Sequence, residues 1–497
     1  MMHESEKSDS SIVAVKSAND PEVSGKESME PRGEAKENTN KRCTRRTQSR
    51  GSVSPGLERV RERALMNRKE QFAALLHHVD IELLGFAFSR LKRDAAPGVD
   101  GIRWKEYEQN LEVNLADLHG RVHRGAYRAT PSRRKFIPKE DGRLRPLGVA
   151  ALEDKIVQRA VVEVLNAIYE ADFLGFSYGF RPKRGQHDAL DALAVSITRT
   201  KVNWILDVDI RSFFDSVSHD WLLRFVRHRV DDPRIIRLIH KWLKAGVMDD
   251  GAWAATDEGT PQGAVISPLL SNIYLHYVFD LWAQRWRRRH ARGQVALVRY
   301  ADDMVVGFER VEDATHFQAE LGVRLGQFGL TLHPDKTRLL EFGRFAADSR
   351  RKRGLGKPET FNFLGFTHIC ERSRQGRFQL MRKTRADRMR SRLRAIKTEL
   401  RRRMHRPIGE QGRWLAQVVQ GYFAYHAVPT NSRSLGAFRY HVSDLWRRTL
   451  RRRGQRDRFT WQRMGLLEAA FLPLPRILHP WPTARFAVNY PRWKPDA

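Results

Sequence analysis

The sequence predicts a layered α+β domain followed by an all-α domain. Three observations carry that expectation. Strand-like alternation and helical periodicity interleave over about 200 residues of the middle of the chain. Two adjacent carboxylates, Asp302 and Asp303, lie between the apolar runs 295–298 and 304–306, as a β-hairpin with acids at its tip would place them. Beyond residue 377 the pattern becomes helical and dense in arginine: residues 372–406 hold 15 Lys+Arg against only Asp387 and Glu399.

In chain order, residues 1–55 are rich in Ser, Glu, Lys, Asn and Gly, and too poor in apolar residues to offset the entropy of ordering; they predict a disordered tail. Helical patterns over 65–91 and 107–122 flank a Pro97-Gly98-Val99-Asp100-Gly101 turn. Residues 133–149 read as a basic strand and turn, 151–170 as a helix, 176–181 as a loop, 204–210 as a strand and 219–246 as one or two helices. A loop over 259–265 leads to a helix over 268–287, the hairpin 295–308, a helix over 311–328, a strand near 330–332 and a strand pair, 338–342 with 361–366. Helical periodicity then covers 382–458. The end, with Pro473, Pro475, Pro480 and Pro482, predicts an extended wrap over the preceding helices.

The chain has 497 residues, 41% of them hydrophobic, and a net charge of +32 from 90 Lys+Arg against 58 Asp+Glu. Such an excess points to a polyanion. Aromatic residues interleaved with arginine favour nucleic acid over a membrane surface. The only cysteines are Cys43 and Cys370, which excludes a disulfide framework and a four-cysteine zinc site and fits a reducing compartment. No apolar run approaches a membrane span, and the acids within residues 1–40 disfavour an organellar transit peptide. A soluble, cytoplasmic protein is the expectation.

A pair of acids needs a third to hold two metals in line with a reacting phosphate, because magnesium takes a few carboxylates plus substrate oxygens. Asp207 and Asp209 share one face of the predicted strand, opposite Leu206, Val208 and Ile210. Asp209 sits at the strand's end, where a site can open. Asp207 and Asp215 are equally acidic competitors, and composition alone does not choose.

From here the sequence resembles the reverse transcriptases, most closely those encoded by group II introns, over about residues 85–450. The motifs occur in the family's order. They are Ile137 to Gly148, Asp209 to Asp215, Gly259 to Asn272, Tyr300-Ala301-Asp302-Asp303, Leu332 to Thr337, and Phe363 to Phe366. The resemblance implies a right-hand polymerase: fingers after an N-terminal extension (56–200), a ferredoxin-like palm (201–375) and a helical thumb or maturase domain (376–458). It makes Asp209, Asp302 and Asp303 catalytic and, with the Ile210 carbonyl, ligands of two Mg²⁺ ions, with Mn²⁺ able to substitute. Lys139, Arg145, Phe214, Gln262, Gly263 and Lys336 would bind the nucleotide, Phe214 as the gate against a ribose hydroxyl. Tyr300, Pro261, Leu364 and Gly365 would face primer and template. Arg382, Lys383, Arg388, Arg392, Arg401, Arg402, Arg403, Tyr422, Tyr425, Arg447 and Arg448 would grip RNA.

The partners so implied are intron RNA, an RNA template with a DNA primer, dNTPs and a DNA target, with no membrane and a homodimer left open. The activity implied is RNA-directed DNA synthesis combined with assistance to intron splicing and retrohoming. The alternative is a stand-alone enzyme without an intron partner, for example one serving phage defence. One departure stands out. Residues 459–497 contain no cysteine, so the zinc-dependent DNA endonuclease that ends many family members is not expected.

Overall fold

The structure, a computed structural model, describes residues 54–138, 144–249, 252–453 and 459–489. The predicted tail therefore lies almost wholly outside the described residues.

The described chain opens with helices α1 (Pro55–Met66), α2 (Ile81–Ser89), α3 (Trp104–Gln109) and α4 (Leu111–His123). The predicted 65–91 helix is thus two helices with a break between them. Phe72 donates its N–H to Arg229 O, and the Asp232 carboxylate accepts from the Leu75 and Leu76 N–H groups, so distant partners take the backbone donors that a helix would use. Strands β1 (Ser132–Pro138) and β2 (Leu144–Val149) form the basic hairpin, and α5 (Leu152–Asp172) and α6 (Gln186–Arg199) follow. After β3 (Trp204–Val208) come α7 (His219–Arg227) and α8 (Pro233–Lys244). Ser218 and Asp232 cap these two helices, and Pro233 opens the second with a ring that needs no helical N–H partner.

Short strands β4 (Val247–Asp249) and β5 (Ala252–Ala254) extend the first sheet to the order β2-β1-β4-β5. Helix α9 (Ser267–Leu275) passes through a π turn, His276–Asp280, into α10 (Leu281–Arg289). Strands β6 (Val295–Tyr300) and β7 (Asp303–Phe308) precede α11 (Val311–Gly326), β8 (Arg338–Glu341) and α12 (Ala346–Lys352). The predicted strand at 330–332 is reduced to one bridge, Leu332 to Ile210.

The central sheet has the order β6-β7-β3-β8 with every neighbour antiparallel. Both faces are covered. Leu206, Val208, Leu297, Val306 and Phe308 point into a large core with Phe317 and Leu321 of α11, whereas Ile205, Ala296, Val298 and Val305 meet Leu190, Leu193 and Ile197 of α6. Double burial explains why these strands read as apolar runs rather than clean alternation.

Two expectations fail next. Residues 361–366 form no single strand: β9 (Phe361–Phe363) and β10 (Phe366–Arg372) are separated by Leu364 and Gly365, whose φ values of 44° and 80° are those of a tight hairpin turn. Nor does this segment pair with β8. β9 and β10 join β11 (Phe378–Thr384) in a separate sheet, so residues 382–384 are strand and not helix.

The helical region is α13 (Ala386–Arg402), α14 (Ile408–His426), α15 (Ser432–Arg451) and α16 (Trp461–Phe471), packed on Leu400, Leu415, Val419, Phe438, Val442 and Trp446. Residues 473–481 are without helix or strand, with Leu478 and His479 both donating to Ala427 O. Helix α17 (Pro482–Asn489) then packs on α6, behind the central sheet. No described helix is long and apolar enough to cross a membrane.

Candidate active site

Tyr300 pairs with Asp303, which leaves Ala301 and Asp302 as a two-residue turn joining β6 to β7. Ala301 has φ 55°, a left-handed conformation that costs a non-glycine residue about 1 kcal/mol. The turn is packed tightly from below. A Cβ on Gly179 would lie 2.3 Å from Ala301 N, so only glycine fits there. Tyr178 N–H donates to Arg299 O and Arg299 N–H to Phe176 O, which holds the 176–181 loop alongside β6.

Asp209 stands just beyond β3, on the face it shares with Asp207. Its backbone is fixed on both sides: His333 N–H donates to its carbonyl at 2.8 Å, and its own N–H donates to Thr337 Oγ1 at 3.3 Å. Lys336 Nζ lies 3.2 Å from its carboxylate. Of its competitors, Asp207 faces Arg338 at 3.9 Å, and its carboxyl is pushed up to about 6 by burial, with Asp209 adding to the rise against Arg338. Asp215 is exposed on a short 3₁₀ turn, with the Gln262 amide 3.4 Å away.

Asp209 and its neighbours bear on the ionisation of Asp302 and Asp303. Burial raises the Asp302 carboxyl, and the Asp209 charge adds to it while Arg145 and Arg299 pull the other way. Asp303 is reached by water, yet protein crowds it on most sides. That crowding, then Asp302, Asp209 and Asp207, push its carboxyl up to about 7. Hard carboxylate oxygens under mutual repulsion are a donor set that a divalent cation would relieve. Among the described residues no three acids, imidazoles or thiolates are gathered tightly enough to hold a metal ion by themselves.

Around these acids, Arg145 comes from β2, near enough to Asp302 to favour its ionised form. Lys139 lies outside the described residues. Phe214 is half-buried on the 3₁₀ turn, and its carbonyl accepts from Thr260 N–H at 2.7 Å. That bond brings in the loop of Pro261, Gln262 and Gly263. Gly148 N–H donates to Gln262 O at 2.6 Å, and a Cβ on Gly263 (φ 104°) would come within 2.7 Å of Gly148 O. The predicted nucleotide-side residues on β2, the 3₁₀ turn and this loop are therefore neighbours.

On the other side, Tyr425 Oη donates to Leu364 O at 2.8 Å, tying the β9–β10 turn to α14. Tyr300 is buried, with Phe180 at 6.0 Å between ring centroids.

The predicted RNA-gripping residues divide. Lys383, Arg388, Arg401, Arg402 and Arg448 are exposed, whereas Arg392, Arg403 and Arg447 are half-buried, Arg403 over Trp414 and Arg447 over Trp461. Two expectations do not hold. Arg382 is 2% exposed and donates to Asp191 at 3.1 Å, an acid it shares with Arg485. Tyr422 is buried against Phe438, with ring centroids 3.5 Å apart. Neither presents its polar end to a ligand. Tyr425 likewise spends its hydroxyl inside the protein.

Sequence reasoning missed Gly179 and Phe180 below the turn, Arg299 beside it, and Arg385, whose charge favours ionisation of both Asp207 and Asp303. Glycine next to an aromatic was a legible signal for the loop. The two arginines had none, being lost among 90 basic residues.

Comparison with known proteins agrees with this geometry. Residues 137–368 match the family described as reverse transcriptase (RNA-dependent DNA polymerase). Protein YkfC of Escherichia coli (strain K12) is 36% identical over 321 residues, spanning 57% of this chain and 79% of YkfC. Group II intron-encoded protein LtrA of Lactococcus lactis subsp. cremoris is 32% identical over 222 residues, or 44% of this chain and 37% of LtrA. A 91 kDa protein in the cob intron of Schizosaccharomyces pombe is 35% identical over 191 residues, 23% of its length. With its ordered motifs, its acids gathered at one strand end and these relatives, the chain belongs to the reverse transcriptase family and is an RNA-directed DNA polymerase.

Proposed function

We propose that Asp209, Asp302 and Asp303 form the metal-binding catalytic centre, in a right-hand arrangement with fingers up to residue 200, a palm around the central sheet and a thumb from residue 376. The observation that carries this is the meeting of the three carboxylates at one end of β3, β6 and β7, where each raises or is raised by its neighbours. The sheet order, with all neighbours antiparallel, supports a ferredoxin-like palm.

These acids, with the Ile210 carbonyl, would hold Mg²⁺ or Mn²⁺, which when bound would acidify the primer 3′-hydroxyl and neutralise the pyrophosphate leaving group. The chain's own groups do the rest. Arg145 offers triphosphate oxygens a bidentate fork, and Lys336 stands ready beside Asp209 to donate a proton to pyrophosphate. Phe214 closes the space beneath the sugar, and the Pro261–Gln262–Gly263 backbone approaches the nascent base pair. Primer extension on an RNA template with Mg²⁺ tests the assignment: an inactive wild type, or undiminished synthesis by Asp302→Ala, sinks it.

For the partner, the reading best supported is a stand-alone, group II-like reverse transcriptase. The YkfC alignment spans most of that protein, whereas the intron-encoded relatives are matched over well under half of theirs. Two of the residues expected to grip intron RNA are also locked in the core. A maturase reading keeps one support, the LtrA likeness. Sequencing the RNA that copurifies with the protein separates the two: one abundant structured RNA spanning the coding sequence favours the maturase, and its absence the stand-alone enzyme.

A further inference from the structure

Arg299 is a fully buried guanidinium in a strand whose neighbouring side chains are apolar. Placing a charge there costs several kcal/mol unless it is fully answered. Asp280 answers the charge, accepting from Nε at 2.7 Å and from Nη2 at 2.5 Å. A plain core ion pair would be complete at this point. Nη1 instead reaches beyond the pair, to Asn272 Oδ1 at 2.9 Å and to the carbonyl of Ala301 at 3.1 Å.

Those two acceptors close a circuit. Asn272 turns its amide the other way and donates to Gly179 O at 2.7 Å, and Gly179 is the residue on which Ala301 N rests. The left-handed Ala301 is thus held at its carbonyl by Arg299, while Gly179, tied to the same arginine through Asn272, packs closely beside its nitrogen. Asp302 is the next residue. The π turn at His276–Asp280 lies between Asn272 and Asp280, the two residues that this guanidinium meets.

We infer that Arg299, clamped by Asp280 and Asn272, is a positioning residue that fixes the Ala301–Asp302 turn and thereby the metal affinity of the acids, without touching substrate. The inference rests on the proposed metal role of Asp302. Removing Asn272 takes away one acceptor and one donor of the circuit while leaving the charge pair intact.

The test is binding of Mn²⁺ to the full chain, followed by electron spin resonance, together with affinity for an RNA–DNA primer–template. Asn272→Ala is expected to weaken Mn²⁺ binding by about tenfold, the usual effect of losing an outer partner of a metal ligand, with primer–template affinity unchanged. Arg299→Lys keeps the charge but loses the fork and is expected to move the same way. Val442→Ala, a cavity in the distant helical core, is expected to lower Tm without changing Mn²⁺ affinity. Wild-type Mn²⁺ affinity in both Asn272→Ala and Arg299→Lys overturns the positioning role and leaves the metal site standing, and so does an equal loss in Val442→Ala. Wild-type affinity in Asp302→Ala overturns the metal site and the positioning role with it.

Discussion

The central sheet and the helical region use charge in opposite ways. Around β3, β6 and β7 Asp302 and Asp303 are crowded together and raised, while the fully buried arginine there, Arg299, pairs with Asp280. On α13–α15 Arg388, Arg401, Arg402 and Arg448 are exposed, and beside that region a buried acid of α6, Asp191, answers Arg382 of β11 and Arg485 of α17. In the first region like charges face one another. Beside the second, opposite charges answer one another.

The largest effect that would break this contrast lies at the acids. Asp302→Ala is expected to lower primer extension by about 10³-fold, since metal stabilisation of the transition state is worth several kcal/mol at about 1.4 kcal/mol per tenfold. Asp191→Ala would strand two arginines and should cost about 3–5 kcal/mol by urea unfolding, because a buried charge loses its partner. A similar loss, about 3–5 kcal/mol, is expected for Phe438→Ala under Tyr422, with no change in RNA affinity. If Tyr422 stacks on RNA instead, affinity falls with stability.

Smaller effects sharpen the comparison. Lys383→Ala and Arg401→Ala should each reduce the slope of log affinity for RNA against log salt by about 1, whereas Tyr422→Phe should leave it alone. The smallest concerns pH. Burial, then Arg382, holds the His368 imidazole down at about 3, while the unfolded chain takes up a proton near 6.5. The unfolded state therefore binds the extra proton between these values, so stability present above pH 6.5 is lost as pH falls. His368→Phe, which keeps the stack on Phe361, should flatten the acid limb of Tm against pH. An unchanged limb would mean that His368 is already charged in the folded protein.

The hairpin acids were legible in the sequence because two carboxylates set between apolar runs repel each other at a cost that a metal or a solvated turn must relieve. By composition alone Asp209 was legible as one of three, and it was the motif Asp209 to Asp215 that singled it out. The support beneath the turn was not legible at all: Asn272, Asp280 and Arg299 are 8 and 19 residues apart, and nothing local links them. In the helical region, arginine density hid the β10–β11 hairpin. Arg382 looked like surface because its partner lies 191 residues away. Periodicity could say that Tyr422 belonged to a helix, but not which face of that helix the core would claim.

The return of α17 to α6 has a consequence in time. Arg485 meets Asp191 across 294 residues, so a ribosome adding about 5–20 residues per second leaves that acid without this partner for roughly 15–60 s. Through that interval the nascent chain carries a palm-side helix still waiting for its cover. Synthesis rate then sets how long that helix stays uncovered.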